Sequence, residues 1–316
     1  MGIVKGAKLM FDILSFANHF GLKTYYTSVK ASKRPFTVIE VDRPGLEMAG
    51  FFEYHQKSRL VLIGKKEVSY LAHMTYENAY EVFLNICGDE TPGLIICHDV
   101  QCPKVIIDAA KAKDCSVYGT EAETSTFEAD ALNYLCEKLA PHISIHANCL
   151  RIFDEGVLII GDSGIGKSEV SLDLIKRGHT FVADDRVEIS NVRNQLIAEA
   201  PEIIYGMMEV RGVGIIDITR TFSINSLQKR STIKYIINLI HFDPSKPVDR
   251  LGNQIQYKEI LNVPIQEIVI PVSPGRSIAE VIEVAITNLK LKEYGFDSAY
   301  ELEKKLTEFR NRKKDK

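Results

Sequence analysis

No apolar run in this 316-residue chain approaches the roughly 20 residues of a membrane-spanning helix. The stretch from Met1 to Phe20 offers no unbroken signal core either, because Lys5, Lys8, Asp12 and His19 interrupt it. A cytoplasmic protein is the expectation. Excess charge of one sign is also missing: 39 Lys and Arg stand against 42 Asp and Glu, a formal net charge of -3. That balance excludes a broad cationic field for nucleic acid or an anionic membrane, so any phosphate must be held locally. Paired cysteines are absent too. The six (Cys87, Cys97, Cys102, Cys115, Cys136, Cys149) include no pair at two-residue spacing, and Cys97-His98 with Cys102 lacks the second cluster a structural zinc site wants. Reduced thiols follow. No internal repeat or low-complexity segment interrupts the chain.

What is present fits two domains of ordinary size, with 45% hydrophobic and 26% charged residues, as in soluble globular proteins. The fold class expected is α/β. Residues Pro35 to Val41, Ser58 to Gly64 and Gly93 to Cys97 read as strands, while Ser69 to Leu84, Pro103 to Ala112 and Thr124 to Leu139 carry helical periodicity. Ala140-Pro141 stops the last of these. The predicted division is an N-terminal α/β domain at 1–139 with a regulatory or assembly role, and a C-terminal P-loop domain at 140–316. In the second domain, strands from Ile143 to Ile160 precede a glycine-rich turn, a helix at Ser168 to Arg177 and a strand at Thr180 to Ala183. Further helices are expected at Ser277 to Leu291 and Ser298 to Phe309.

The turn is the most specific signal. Gly161-Asp162-Ser163-Gly164-Ile165-Gly166-Lys167-Ser168 fits G-x-x-x-x-G-K-[ST] completely, follows the apolar strand Val157 to Ile160 and opens a helix. Glycines let successive backbone N–H groups face one anion, and the helix start adds its positive end. Lys167 is placed for the β and γ phosphates of a nucleotide, and the Ser168 hydroxyl for Mg²⁺. Such a cradle serves kinases, hydrolytic motors and switch proteins alike. Other residues must discriminate.

Asp184-Asp185 ends the strand Thr180 to Ala183, where one carboxylate can hold a metal and the other take a hydroxyl proton; a pair of turn-forming aspartates is the alternative. Glu209 and Arg211, two apart in Met207 to Gly214, share one face of an extended strand, with Gly212 and Gly214 allowing close backbone approach to a ligand. They can equally form a surface ion pair. His146 precedes the strands leading to the turn and can be structural or catalytic. Arg250, in Pro247 to Gly252, and Arg276, in Pro271 to Arg276, lie in Pro/Gly-marked loops, either as site residues or as solvated cations.

In order and spacing, His146, Gly161 to Glu169, Lys176 to Val187, Glu209 to Asp217, Asp249 to Gly252 and Pro271 to Arg276 resemble the bacterial HPr serine kinase family, the HPr kinase/phosphorylases. So do Arg43-Pro-Gly-Leu-Glu-Met-Ala-Gly50 and Leu62 to Lys65. The resemblance implies ATP on Gly161 to Ser168 and Mg²⁺ on Ser168 and Glu209. It makes Asp185 the base toward a serine of the phosphocarrier protein HPr, and the acid when inorganic phosphate attacks phosphoserine to release pyrophosphate. His146, Lys167 and Arg250 complete the active site, Asp184, Arg211, Gly212 and Gly214 support it, and the Pro271 to Arg276 loop serves dephosphorylation. A homohexamer and control of carbon catabolite repression are implied as well. One departure stands out: the family's usual glycine after the histidine is Ala147 here, whose methyl can restrict the backbone. The competing readings are a P-loop small-molecule or carboxykinase-like enzyme with an enclosed acceptor pocket, and a nucleotide switch whose hydrolysis yields no phosphoprotein.

Overall fold

The computed structural model describes residues 11–243, 256–273 and 275–314. These divide into two compact units between Ala140 and Pro141.

The N-terminal unit contains α1 (Ile13–Phe20), β1 (Lys23–Tyr26), β2 (Val41–Asp42), α2 (Gly45–Met48), β3 (Leu60–Ile63), α3 (Lys65–Leu71), α4 (Tyr76–Ile86), β4 (Leu94–Ile96), α5 (Lys104–Ala112), β5 (Val117–Gly119) and α6 (Thr124–Lys138). The sheet order is β1-β5-β4-β3-β2, parallel throughout except at the edge strand β1. Both faces are covered, which is why the central strands read as unbroken apolar runs. Leu60 and Leu62 face a core with Phe16 and Phe127, whereas Val61 and Ile63 face another with Phe83 and Ile106.

Two sequence expectations are corrected here. The stretch 35–41 is not a strand: only Val41 enters the sheet, and Pro35, lacking an amide hydrogen, makes an isolated bridge to Asp12. The helix expected over 69–84 is two helices, because the chain turns through Ala72 to Met74 and Thr75 caps α4 by accepting from the Asn78 amide at 3.3 Å.

The C-terminal unit contains β6 (His142–His146), β7 (Asn148–Ile152), β8 (Glu155–Gly161), α7 (Lys167–Lys176), β9 (Thr180–Ala183), β10 (Arg186–Val192), β11 (Gln195–Glu199), β12 (Met207–Val210), β13 (Gly214–Asp217), α8 (Ile218–Thr221), β14 (Arg230–His241), β15 (Gln256–Ile260), β16 (Val263–Val272), α9 (Ile278–Glu293) and α10 (Ser298–Lys314). The long strand β14 joins two groups of strands. Its start pairs antiparallel with β11, which leads through β10 to β6, while its remainder lies parallel to β8 and β16. On the other side of β8 come β7 and then β9, both antiparallel contacts. Alternation along β8 explains its fully apolar spelling. Val157 and Ile159 meet a core that includes Leu174 of α7 and Ile282 of α9, whereas Leu158 and Ile160 meet Ile145, Val187 and Ile189 of β6 and β10. The strand that delivers the glycine-rich turn is therefore held on both faces.

Close approach of β14 to β8 makes Gly156 obligatory, since a Cβ there would lie 2.0 Å from the Thr232 carbonyl oxygen, a backbone atom that cannot rotate away. Gly156→Ala is expected to destabilise the chain by about 1–3 kcal/mol, the usual cost of overpacking. Urea denaturation monitored by circular dichroism checks this, and an unchanged midpoint would refute it.

All six cysteines are free. Burial pushes the Cys97 thiol up to about 11 and the Cys102 and Cys149 thiols up to about 12, so none of these three is primed as a thiolate at neutral pH. Among the described residues no helix is long and apolar enough to cross a membrane.

Candidate active site

The turn after β8 owes its position to a contact that only glycine permits. Gly161 has φ +152, and a Cβ on it would stand 2.6 Å from the Leu239 carbonyl oxygen of β14. The chain then swings outward through Gly164 and Gly166, both at positive φ, while Ile165 turns back into the core as an anchor. Gly166 caps α7, so Lys167 and Ser168 occupy its first turn, where backbone amides lack helical partners. The Lys167 ammonium bends back over the turn and donates to the carbonyls of Gly161 and Asp162, each at 3.1 Å. Burial lowers its pKa, and Asp185, Asp184 and Asp162 pull the other way.

The two aspartates after β9 occupy different environments. Asp184 is 5% exposed and accepts from Ser168 Oγ at 2.9 Å, from Asn148 Nδ2 at 2.7 Å and, at its other oxygen, from the Glu209 amide at 3.1 Å. Burial nonetheless raises its pKa above the ordinary carboxylate value, helped by the adjacent Asp185 and opposed by those donors. Asp185 adopts the left-handed region at φ +62, which swings its side chain outward to 72% exposure. Aspartate tolerates that region better than most residues. Its Oδ1 lies 2.8 Å from His146 Nδ1, and its carbonyl accepts from the Ala147 amide at 3.2 Å. Ala147 is buried and does not require a positive φ, so the methyl in place of the family's glycine introduces no backbone strain.

Asn148 was not singled out by sequence reasoning. Fully buried at the start of β7, it donates to Ser171 and Asp184 and accepts the Asp185 amide at 3.3 Å, tying the phosphate helix to both aspartates. A carboxamide opening a strand whose other polar residue is the partly exposed Arg151 is the signal that could have found it.

The antiparallel pair β12 and β13 supplies a second arm. Glu209 and Arg211 both line the cavity beside the turn, and the Arg211 guanidinium lies 3.4 Å from where a Gly164 Cβ would sit. The hairpin itself explains Gly212: it sits at φ +77 in a tight turn closed by the Val213 amide on the Val210 carbonyl, and a Cβ there or on Gly214 would meet nothing within 4 Å. Within the chain, no other segment packs against either glycine, and positive φ at both is what the hairpin requires of them.

His146, Asn148, Gly164, Lys167, Ser168, Asp184, Asp185, Glu209 and Arg211 thus converge on one open cavity of about 200 Å³. Pro271, paired with Ile240 at the end of β16, and Arg276, exposed ahead of α9, do not line it. Arg250 lies outside the described residues, as does Pro274 of the Pro271 to Arg276 loop.

A phosphate-binding turn at the end of a doubly covered strand, opposed by two aspartates, defines the class: a P-loop kinase domain following a separate α/β unit. Comparison with known proteins narrows this. Residues 137–306 match the HPr Serine kinase C-terminal domain, and residues 11–135 match the HPr Serine kinase N terminus. The chain is 40% identical over 288 residues to an HPr kinase/phosphorylase of Streptococcus thermophilus, covering 91% of this chain and 93% of that protein. It is 36% identical over 315 residues to the HPr kinase/phosphorylase of Lactobacillus gasseri, covering 99% and 97%. A solved HPr(Ser) kinase/phosphatase from Coxiella burnetii is 35% identical over 50% of this chain and 97% of its own, with a TM-score of 0.46. The chain belongs to the HPr serine kinase family.

Proposed function

We propose that this chain transfers the γ-phosphoryl group of ATP to a serine of HPr, and that inorganic phosphate removes it again with release of pyrophosphate. The observation that carries the reading is Asp185: a carboxylate held by a left-handed backbone at the open lip of the phosphate turn, where a side chain of another protein can reach it. In the forward direction the serine oxygen bonds to the γ-phosphorus, the bond from that phosphorus to the bridging oxygen breaks, ADP leaves, and Asp185 takes the serine proton. In reverse, a phosphate oxygen attacks the phosphoserine phosphorus, the serine oxygen departs with the proton from Asp185, and pyrophosphate leaves. Lys167, Arg211 and the amides of Gly161 to Ser168 hold the transferring group, and His146 orients the Asp185 carboxylate.

The small-molecule alternative calls for an enclosed acceptor pocket, whereas Asp185 and His146 stand at 72% and 42% exposure. Incubation with ATP, Mg²⁺ and HPr, followed by phospho-HPr with inorganic phosphate, tests the proposal. Phosphoserine in the first reaction and pyrophosphate in the second are expected; transfer only to a metabolite would overturn it. The same reading assigns catalysis to residues 140–316, regulation or assembly to residues 1–139, and a homohexamer that light scattering measures.

Ser168 Oγ, both oxygens of Asp184 and the Glu209 carboxylate form a set of hard oxygen donors that fits Mg²⁺. Bound there, the ion neutralises charge on the β and γ phosphates. The family resemblance implies Ser168 and Glu209 as its ligands and the aspartate pair offers one carboxylate for a metal; the contacts of Asp184 with Ser168 Oγ and the Glu209 amide support giving that part to Asp184. Because burial raises the Asp184 pKa, the folded apo protein keeps a proton there in a window above the ordinary carboxylate value that the metal-bound form cannot keep. Mg²⁺ affinity should therefore rise with pH through that window, with net proton release, and level off above it. Calorimetry in buffers of different ionisation heat checks this, and Asp184→Asn should abolish the release.

A further inference from the structure

The Arg43 to Gly50 stretch plays no part in the site above, yet it lies beside an arrangement with unresolved chemistry. His55 follows α2 by a short loop, and its side chain is only 3% exposed. Its Nδ1 lies 3.3 Å from Asp42 Oδ2, at the end of β2, and 3.4 Å from Glu47 Oε1, on α2. The ring is held edge-on to Phe52, with centroids 5.8 Å apart. Among the described residues, Asp42 and Glu47 ion-pair only with His55, since nearby Arg43 turns to Glu67 instead. Asp42 Oδ2 and both His55 ring nitrogens are buried without any hydrogen-bond partner.

Neither protonation state of the imidazole resolves this on its own. Neutral with a bare Nδ1, it would aim a lone pair at two carboxylates. Protonated, Nδ1 carries one hydrogen for two acceptors, and both lie beyond the roughly 2.7–2.9 Å of a charge-assisted bond. A cation set among Asp42 Oδ2, Glu47 Oε1 and His55 Nδ1 satisfies those three atoms and leaves Nε2, then an N–H donor, as the one ring nitrogen without a partner. Bonds of about 2.0–2.1 Å to a tetrahedral ion separate its ligand atoms by about 3.3–3.4 Å, which is the spacing of His55 Nδ1 from each of the two carboxylate oxygens, whereas octahedral ligands at such bond lengths sit near 3.0 Å. The ligand atoms of Asp42, Glu47 and His55 all lie within 4.8 Å of one another.

We infer that Asp42 Oδ2, Glu47 Oε1 and His55 Nδ1 form a zinc site in the N-terminal unit, with a fourth position for water. Imidazole with two carboxylates suits Zn²⁺, and bonding it requires no oxidant or co-reactant, only an imidazole nitrogen free of its proton. The ion would tie the end of β2 to α2 and to the loop after it, fixing the Arg43 to His55 segment against the sheet. It is a structural role, separate from the phosphate turn.

The test uses the full-length protein, stripped with EDTA and titrated with Zn²⁺ in excess Mg²⁺, which keeps the oxygen donors around Asp184 occupied. One equivalent of Zn²⁺ is expected to bind and to raise the thermal midpoint, and Co²⁺ in its place should give the strong visible bands of tetrahedral coordination. His55→Phe, which preserves the apolar packing, and Asp42→Asn should each weaken Zn²⁺ binding by at least about 100-fold, beyond the roughly 10–100-fold that an outer hydrogen-bonding partner is worth. No uptake by the parent protein, or undiminished uptake by His55→Phe, overturns the inference. Should the variants fail to fold, the Co²⁺ spectrum of the parent decides, since the weak bands of an octahedral ion would exclude this site.

Discussion

Asp185→Asn is expected to lower phosphorylation and phosphorolysis together by about 100- to 10,000-fold, the range for loss of a positioned general base, while nucleotide affinity stays close to that of the parent. The separation follows from where the groups sit. The nucleotide cradle is built from the amides of the glycine-rich turn and Lys167, and Asp185 hydrogen-bonds to neither, although its charge acts on the Lys167 ammonium; its hydrogen-bonding partners are His146, Ala147 and Asn148. Asparagine is isosteric and tolerates the left-handed backbone at φ +62, so the bend after β9 should persist. What the variant loses is a proton acceptor in one direction and a donor in the other. Single-turnover kinetics with labelled ATP, paired with calorimetric titration of nucleotide, reads both quantities. Near-normal turnover in either direction would place the base on another residue, and a parallel loss of nucleotide affinity would mean that Asp185 shapes the cradle.

How these residues were legible differs from one to the next. The turn from Gly161 to Ser168 could be read from its spelling because each position answers a local demand: Gly161 for the Leu239 carbonyl, Gly166 for its φ of +104, Lys167 and Ser168 for the first turn of the helix. The roles of Asp184 and Asp185 were not separable in the same way. Sequence shows two adjacent carboxylates; the direction each takes depends on one backbone torsion and on Asn148, whose partners come from Ser171, Asp184 and Asp185.

The same limit explains the elements that were misread. Apolar periodicity carried the reading across the break between α3 and α4, since Leu71 and Phe83 point into one core although the chain turns between them. Strand-like spelling over 35–41 reflects the burial of Phe36 among aromatic rings, which needs no sheet partner. The long strand β14 escaped notice because it borders strands from two regions of the chain, β11 at one end and β8 at the other. His55 gave no local signal, for its partners lie 8 and 13 residues earlier (55 − 47 and 55 − 42) and converge only through the fold.

Lys167→Ala is expected to cost roughly 3 kcal/mol in transition-state stabilisation, a little over 100-fold in kcat/KM at about 1.4 kcal/mol per decade, with no comparable loss of stability. The structure sets these two effects apart. In the free protein the ammonium is buried, and desolvation lowers its pKa, so folding gains little from keeping it charged there. Its hydrogen bonds to the Gly161 and Asp162 carbonyls offset that cost, and removing lysine surrenders both terms at once. The thermal midpoint should therefore move little. Catalysis has no such offset, because as charge spreads over the transferring phosphoryl oxygens the ammonium is the cation that the turn itself carries. Arginine should not restore activity: a planar guanidinium cannot occupy the point between two carbonyls 3.1 Å away that a compact ammonium fills. Steady-state kinetics on Lys167→Ala and Lys167→Arg, with differential scanning fluorimetry on each, checks the argument. A midpoint that falls in step with activity would show that the lysine chiefly holds the turn together, and full activity in the arginine variant would show that charge alone suffices.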